Sequence, residues 1–468
     1  MKKQTKVLLA AAMMTLGASF SAMAATKGTW VLNAEGWQYA DKEGEYVSNE
    51  WCKSNGIDFW VNDDEVLGSS EWVQDGGYTY YVQSDGSKTV NAWKYLYAIE
   101  DDEEDEDQDW YYFDAKGRMV ANTKKTIGGY DYYFDADGKM LTGWVDADGK
   151  EAAAKTDAIA NIVFANDNGQ VVKSSWLNEF PWTKNADDCY EGEDEEWFYA
   201  KKDGKLAVTK TNVDNLTYFF NKDTGIMIEG WVEKVDADTD YYTACNALTA
   251  GKTAYWTNEI GYAAKNTWME LEHPEEKDDV YWYHFNKLGE VFIASETDAT
   301  LDKATFADGD SNSITPANDA DIAEILKING VEYYFNNKGE MLDGLQYVTV
   351  GTASNLMYFV DGAKQTGKVT LTDEYENDYT FVFAPKTEKG FTKYAAVTGN
   401  YDGYCYNNGQ LMTAEEEGNF KLIETTAGKF IVDHNGKIQK KTTKEYFNEG
   451  ETFTFVDADN NTKNSIVE

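Results

Sequence analysis

The stretch from Trp110 to Trp144, WYYFDAKGRMVANTKKTIGGYDYYFDADGKMLTGW, states one pattern twice. Phe113 and Phe134 are 21 residues apart, as are Gly117 and Gly138, and Met119 and Met140. Each copy is an aromatic run, a turn rich in Asp, Lys and Gly, and a short alternating run that ends in a small residue and often in Trp. Apolar–polar alternation on both sides of a Gly-containing turn marks a β-hairpin, and the pattern predicts that the aromatic run and the Trp run are its two arms. A lone two-stranded hairpin is marginal in water. Its aromatic face needs a neighbour, and copies repeated at a fixed period supply one by stacking. The expected fold is therefore all-β: a solenoid, a superhelical array of hairpins of about twenty residues each, with irregular loop insertions.

Along the chain the rhythm is strong, then looser. Trp51, Trp72 and Trp93 fall at 21-residue intervals. Between Glu100 and Asp109 lies a run with a single uncharged residue, and such dense like charge predicts a solvated loop. Degenerate copies end at Trp176, Trp231 and Trp268. From Thr297 to Ile328 the rhythm stops, and that segment reads as an insertion with one short helix near Asp319 to Leu326. Copies then resume without the closing Trp, Leu345 standing where Trp144 stands in the clearest unit. The organisation expected is 1–24 a leader, 25–145 regular repeats, 146–298 divergent repeats with insertions, 299–328 a non-repeat insertion, and 329–468 divergent C-terminal repeats.

The first 24 residues combine Lys2, Lys3 and Lys6, an apolar run from Val7 to about Phe20, and Ala22-Met23-Ala24. That is the form of a secretory signal peptide cleaved after Ala24, too short for an ordinary membrane span, and it predicts a secreted protein. With 83 Asp+Glu against 42 Lys+Arg the formal charge is -41, and -44 once the three leader lysines are gone. A field of that sign repels nucleic acid and anionic lipid and favours cationic ligands. It also keeps an aromatic-rich repetitive chain soluble. Cys52, Cys189, Cys245 and Cys405 lie far apart with no CxxC pair, so neither a zinc site nor a disulfide framework is signalled, and no pairing follows from the sequence.

The unit YYFDADGKMLTGW, with its neighbours over nearly all of residues 28–468, resembles the choline-binding or cell-wall-binding repeats of Gram-positive bacteria. It is also similar to the glucan-binding repeats of streptococcal glucosyltransferases and to the repetitive oligopeptides of large clostridial toxins. The resemblance implies a hairpin solenoid that binds choline on teichoic acids, or glycans, along its length. It implies a cage between successive hairpins, built from the closing Trp of one, aromatics of the following strand and an aromatic of the next unit. Carried over, the cages are Trp51 with Trp60 and Tyr81, and Trp72 with Tyr80. Trp93, Trp110, Tyr112, Tyr133, Trp144 and Trp231 are further ligand-binding candidates. A quaternary ammonium needs π faces because it cannot donate a conventional hydrogen bond, and each such contact is worth roughly 0.5 to 2 kcal/mol. Trp144 is followed by VDADGKEAAAK without an aromatic, so the resemblance does not imply a cage at every junction.

Other readings compete. The aromatics can be core alone, or they can stack on sugar rings. The DADG at Asp135 to Gly138, DADGK at Asp146 to Lys150 and DNG at Asp167 to Gly169 resemble fragments of calcium loops, but hairpin turns favour the same residues. Asp308, Asp310 and Asn312 have EF-hand spacing with Asp319 twelfth, but Ser313 stands where that loop needs Gly. His273, His284 and His434 lie in separate units without a zinc pattern. No nucleophile elbow is present. The expectation is a non-catalytic, secreted, surface-associated protein without cofactor or metal, whose partner is a cell-wall polymer bearing choline or a glycan. The alternatives are a wall hydrolase of amidase type with a catalytic region diverged within 146–328, and an adhesive surface protein with a protein partner.

Overall fold

The computed structural model describes residues 28–98, 108–147, 159–181, 194–275, 279–296, 298–306, 314–316, 321–373, 375–439, 446–448, 451–456 and 465–467. The leader, most of the acidic run, and Asp308, Asp310, Asn312 and Asp319 with their calcium-like spacing lie outside the described residues. Those described are almost wholly strand and turn, the one helical element among them being the 3-10 turn Ile159–Asn161. No helix among them is long and apolar enough to cross a membrane. The chain divides into two compact units, Met1–Thr209 with Phe220–Met227, and Lys210–Phe219 with Ile228–Glu468.

The fold is a succession of antiparallel hairpins, as the period predicts, but their phase differs from the one read in the sequence. The arms that pair are the strand carrying the closing Trp and the aromatic strand after it. Glu50–Ser54 pairs with Ile57–Val61, Glu71–Asp75 with Tyr78–Val82, and Thr123–Ile127 with Tyr130–Phe134. The turns between them are Asn55-Gly56, Gly76-Gly77 and Gly128-Gly129, every residue at positive φ. Two-residue turns of that kind follow the right-handed twist of the strands they join, and this decides the phase. The Asp-containing turn instead closes a loop held by one bridge, Phe134 to Met140 and likewise Phe113 to Met119. Asp135 Oδ1 accepts hydrogen bonds from the backbone N–H groups of Asp137 (3.0 Å) and Lys139 (2.7 Å). The acid thus caps its own turn. Long inserts sit where the two-residue turn would be, as between Leu96 and Asp109 and between Glu179 and Glu196.

A backbone hydrogen bond ties each copy to the one before. Met119 N–H donates to Thr79 O (2.7 Å), Met140 to Trp110 O (2.9 Å), Val171 to Asp131 O (2.9 Å), and in the second unit Val291 to Ala254 O (2.9 Å). Packing follows the same logic. Tyr132 and Phe134 face one side of their strand and bury against Trp93 of the preceding hairpin, while Tyr133 faces the other and buries with Val145 and Val163 of the next. Both faces of an aromatic strand are thus interior, and the hairpins stabilise one another through apolar burial.

In the second unit the pairing broadens. Ala299–Phe306 and Asp321–Ile328 are strands of a seven-stranded sheet that continues through Val331–Asn336, Gly344–Val350 and Ala353–Val360. The helix expected near Asp319 to Leu326 is therefore a strand. Ile322, Ile325 and Leu326 carry helical spacing, but Asn329-Gly330, at φ 51° and 87°, turns the segment back as a hairpin onto Val331–Asn336. The described strands of 146–328 likewise pair antiparallel.

Candidate functional site: aromatic corners between hairpins

Strand register places each closing Trp opposite an aromatic or imidazole ring of its own hairpin: Trp51 faces Trp60, Trp72 Tyr81, Trp93 Tyr112, Trp144 Phe164, Trp176 Tyr199, Trp231 Trp256 and Trp268 His284. An aromatic from the second strand of the next hairpin completes a corner. Trp51 lies 5.0 Å from Trp60 and 5.4 Å from Tyr80. Trp72 lies 5.4 Å from Tyr81 and 5.0 Å from Tyr111. Trp93 lies 5.1 Å from Tyr112 and 4.9 Å from Tyr132. Trp144 lies 4.9 Å from both Phe164 and Phe198, and Trp231 lies 4.9 Å from Tyr283. The rings meet at 58° to 76°, so their faces turn towards one another rather than stack. Trp72, Trp144 and Trp231 are further fixed by indole N–H donation to the backbone oxygens of Tyr97 (3.0 Å), Phe180 (2.8 Å) and Glu272 (2.9 Å).

The partners of the first two corners are the reverse of those read from the sequence. Tyr80 goes to Trp51 and Tyr81 to Trp72, because adjacent strand residues point to opposite faces and Tyr81 sits directly across from Trp72. Trp110 is not a corner wall: 45% exposed, it stands 6.4 Å from Trp93 and packs on Tyr95 at 5.2 Å. Tyr133 faces no closing Trp, its cross-strand partner being Lys124. Tyr111, Tyr132, Phe164, Phe198 and Tyr283 belong to corners and were missed in the sequence. So was the corner of Trp268, with His284 at 4.8 Å and Tyr333 at 4.9 Å, where burial lowers the His284 pKa.

The remaining wall comes from the second residue after the turn Gly. Met140 packs with Trp93, Leu206 with Trp144 and Val291 with Trp231. At the Trp51 corner this residue is Lys88: it bridges Val82 as Met140 bridges Phe134, and its N–H donates to Asp58 O (2.8 Å) as Met140 donates to Trp110 O. Its ammonium lies 3.8 Å from the centre of the Trp51 ring and 5.0 Å from that of Tyr80. An aromatic corner of this chain thus accepts a cation against two π faces.

Residues 70–88, 104–119, 125–140 and 326–341 match the family model described as "Putative cell wall binding repeat". The match lies in these four segments and not over the chain as a whole. Over 286 residues the chain is 26% identical to Glucosyltransferase-S of Streptococcus mutans, a match that covers 58% of this chain and 16% of that enzyme. The chain therefore spans about one sixth of the length of that curated relative. Solved structures from Streptococcus pneumoniae are also similar to this chain. The modular autolysin LytC is 20% identical, covering 67% of this chain and 52% of its own, at a TM-score of 0.36. Choline binding protein F, solved in the presence of a peptidoglycan analogue, is 17% identical over 83% of this chain and 99% of its own, at a TM-score of 0.34. The choline-binding domain of CbpL is 28% identical over 44% of this chain and 98% of its own, at a TM-score of 0.20.

Among the described residues no group of three or more His, Cys, Asp or Glu side chains is placed to hold a metal ion. Cys52, Cys245 and Cys405 are free, buried thiols.

Proposed function

We propose that the protein is a secreted, non-catalytic component of a cell surface that binds choline-bearing wall polymer through its inter-hairpin aromatic corners. The observation that carries this reading is the Lys88 ammonium resting against Trp51 and Tyr80. A corner that accommodates one organic cation has the shape and electrostatics to accommodate another. The net charge of -41 draws cations towards the chain. One corner binds weakly, and several corners on one chain gain avidity for a polymer because each bound unit raises the effective concentration of the next. The residues proposed to bind are Trp72, Tyr81, Trp93, Tyr112, Trp144 and Trp231, joined by Tyr111, Tyr132, Phe164, Phe198 and Tyr283.

The test is a pull-down on purified wall, with and without teichoic acid, with free choline as competitor. Retention that needs teichoic acid and is lost to choline supports the reading; retention indifferent to both overturns it. A glycan ligand is the second reading, favoured by the exposed indoles of Trp110 and Trp197, 45% and 44% accessible and each 6.4 Å from a closing Trp. Such rings offer apolar faces for sugar stacking, and retention on a glucan matrix that resists choline marks that ligand. Release of muropeptides from wall by the purified chain would instead point to a hydrolase.

A further inference from the structure

Counted from Trp51 in chain order, the closing positions are Trp51, Trp72, Trp93, Lys124, Trp144, Trp176, Lys210, Trp231 and Trp268. Lys124 is assigned by its register against Tyr133, and Lys210 by standing immediately before Thr211, which pairs with Tyr218. The Lys210 ammonium lies 4.6 Å from the centre of the Tyr255 ring and 5.6 Å from that of Phe219. Those are the two ring positions that a closing Trp meets elsewhere. Tyr242 encloses the same cluster, 4.9 Å from Phe219 and 6.0 Å from Tyr255. Burial, reinforced by the charge of Lys265, lowers the Lys210 pKa. A lysine held among rings rather than in water is the expected cause.

Lys88 reaches the same arrangement from another position, replacing the apolar wall of the Trp51 corner instead of its Trp. Its side chain is only 11% exposed and lies 3.4 Å from Asp58 Oδ2. Lys124 shows the opposite outcome. Asp131 holds its ammonium at 2.8 Å, leaving it 5.7 Å from the Tyr133 ring. The closer carboxylate, at 2.8 Å against the 3.4 Å of Asp58 from Lys88, holds this ammonium further from its ring than Lys88 lies from Trp51.

We infer that Lys88 and Lys210 are resident cations that occupy two of the aromatic corners, and that these corners are closed to external organic cations while those walled by Met, Leu or Val stay available. The inference rests on the reading of the corners as cation sites. It adds a rule for which corners bind: a lysine in the wall or at the closing position takes the ligand's place. A quaternary ammonium and a lysine ammonium cannot share one set of π faces, since like charges at that separation repel.

The experiment is titration of the full chain with choline chloride by calorimetry, with Lys88→Met, Lys88→Gln and Lys88→Arg beside the unaltered protein. Circular dichroism checks the fold of each. Lys88→Met restores the wall found at Met119 and Met140, and the expected result is one more bound choline per chain at saturation. Lys88→Gln, without charge, gains the same site should Met disturb the packing, and Lys88→Arg gains none. Unchanged stoichiometry in both folded neutral variants, with choline bound by the parent, overturns the resident cation and leaves the proposed function standing. If the parent binds no choline, the proposed function fails. Binding that then appears in Lys88→Met alone still supports the resident cation, and its absence there overturns that too.

Discussion

Gly138 rests on Met119 of the preceding copy: a Cβ added to this glycine would lie 2.7 Å from both the Sδ and Cε atoms of Met119. Its φ is +83°, so a side chain is disfavoured twice, by backbone conformation and by the neighbour. Gly138→Ala is expected to cost about 1 to 3 kcal/mol, read as a lower urea midpoint. Adding Met119→Ala removes the clash and leaves the backbone strain, so the cost of the glycine change should fall in that background without vanishing. Equal costs in both backgrounds would show that the copies do not meet at this point.

The corner at Trp93 gives a second prediction. This indole touches Tyr112 at 5.1 Å within its hairpin and Tyr132 and Phe134 at 4.9 and 5.6 Å in the next. Trp93→Ala is expected to lose about 2 to 4 kcal/mol, below the range for a fully buried ring because Trp93 is half-buried. Amide exchange should rise in Tyr130–Phe134 as well as in the mutated hairpin. Acceleration restricted to Ala92–Leu96 and Asp109–Phe113 would argue that the hairpins fold independently.

Much of this was legible because it is local. The 21-residue spacing of Phe113 and Phe134, the turn Gly and the alternating arms announce stacked hairpins without any long-range information. The phase was harder, since the Asp-rich turn is the more conspicuous signal, yet Gly128-Gly129 is the turn that matches strand twist. Which ring meets which Trp is not local at all. It depends on register and on loops of unequal length, so the next hairpin's ring lies 29 residues after Trp51, at Tyr80, but 39 after Trp72, at Tyr111. Lys124 and Lys210 hold closing positions by register alone, which no Trp marks in the sequence. The segment Asp321–Ile328 was misread because apolar residues at helical spacing also suit a strand paired along both edges.

The cysteines yield a third prediction. Burial pushes the thiols of Cys52 and Cys405 up to about 12, with the charge of Glu50 adding at Cys52, and pushes Cys245 up to about 11. The thiolate is the reactive form, so at pH 8 all three should remain unmodified by a disulfide reagent in the folded protein and react once urea is added. Peptide mapping distinguishes them. Modification of Cys405 in the folded chain at the rate of an exposed thiol would contradict its placement between Ile423 and Val432.

Asp131 provides the pH dependence. Burial works against its ionisation, but hydrogen bonds from Lys124, Lys173 and Thr126 outweigh burial and hold the carboxyl well below the ordinary range. The distances are 2.8 Å to Lys124 Nζ and 2.6 Å to Lys173 Nζ, with Thr126 Oγ1 donating at 2.6 Å. Lys124 and Thr126 lie on the paired strand, whereas Lys173 comes from the following copy, so the carboxylate links two hairpins. A group whose folded pKa is depressed contributes stability above its unfolded value, about 3.9 for Asp, and loses it as the pH falls through the folded value. Asp131→Asn should therefore cost about 1 to 3 kcal/mol at pH 6, with a smaller difference from the parent at pH 2. Because both proteins share every other carboxylate, comparing their urea midpoints isolates this one. A difference that stays the same at both values would mean that the ionised form of Asp131 adds nothing to the junction.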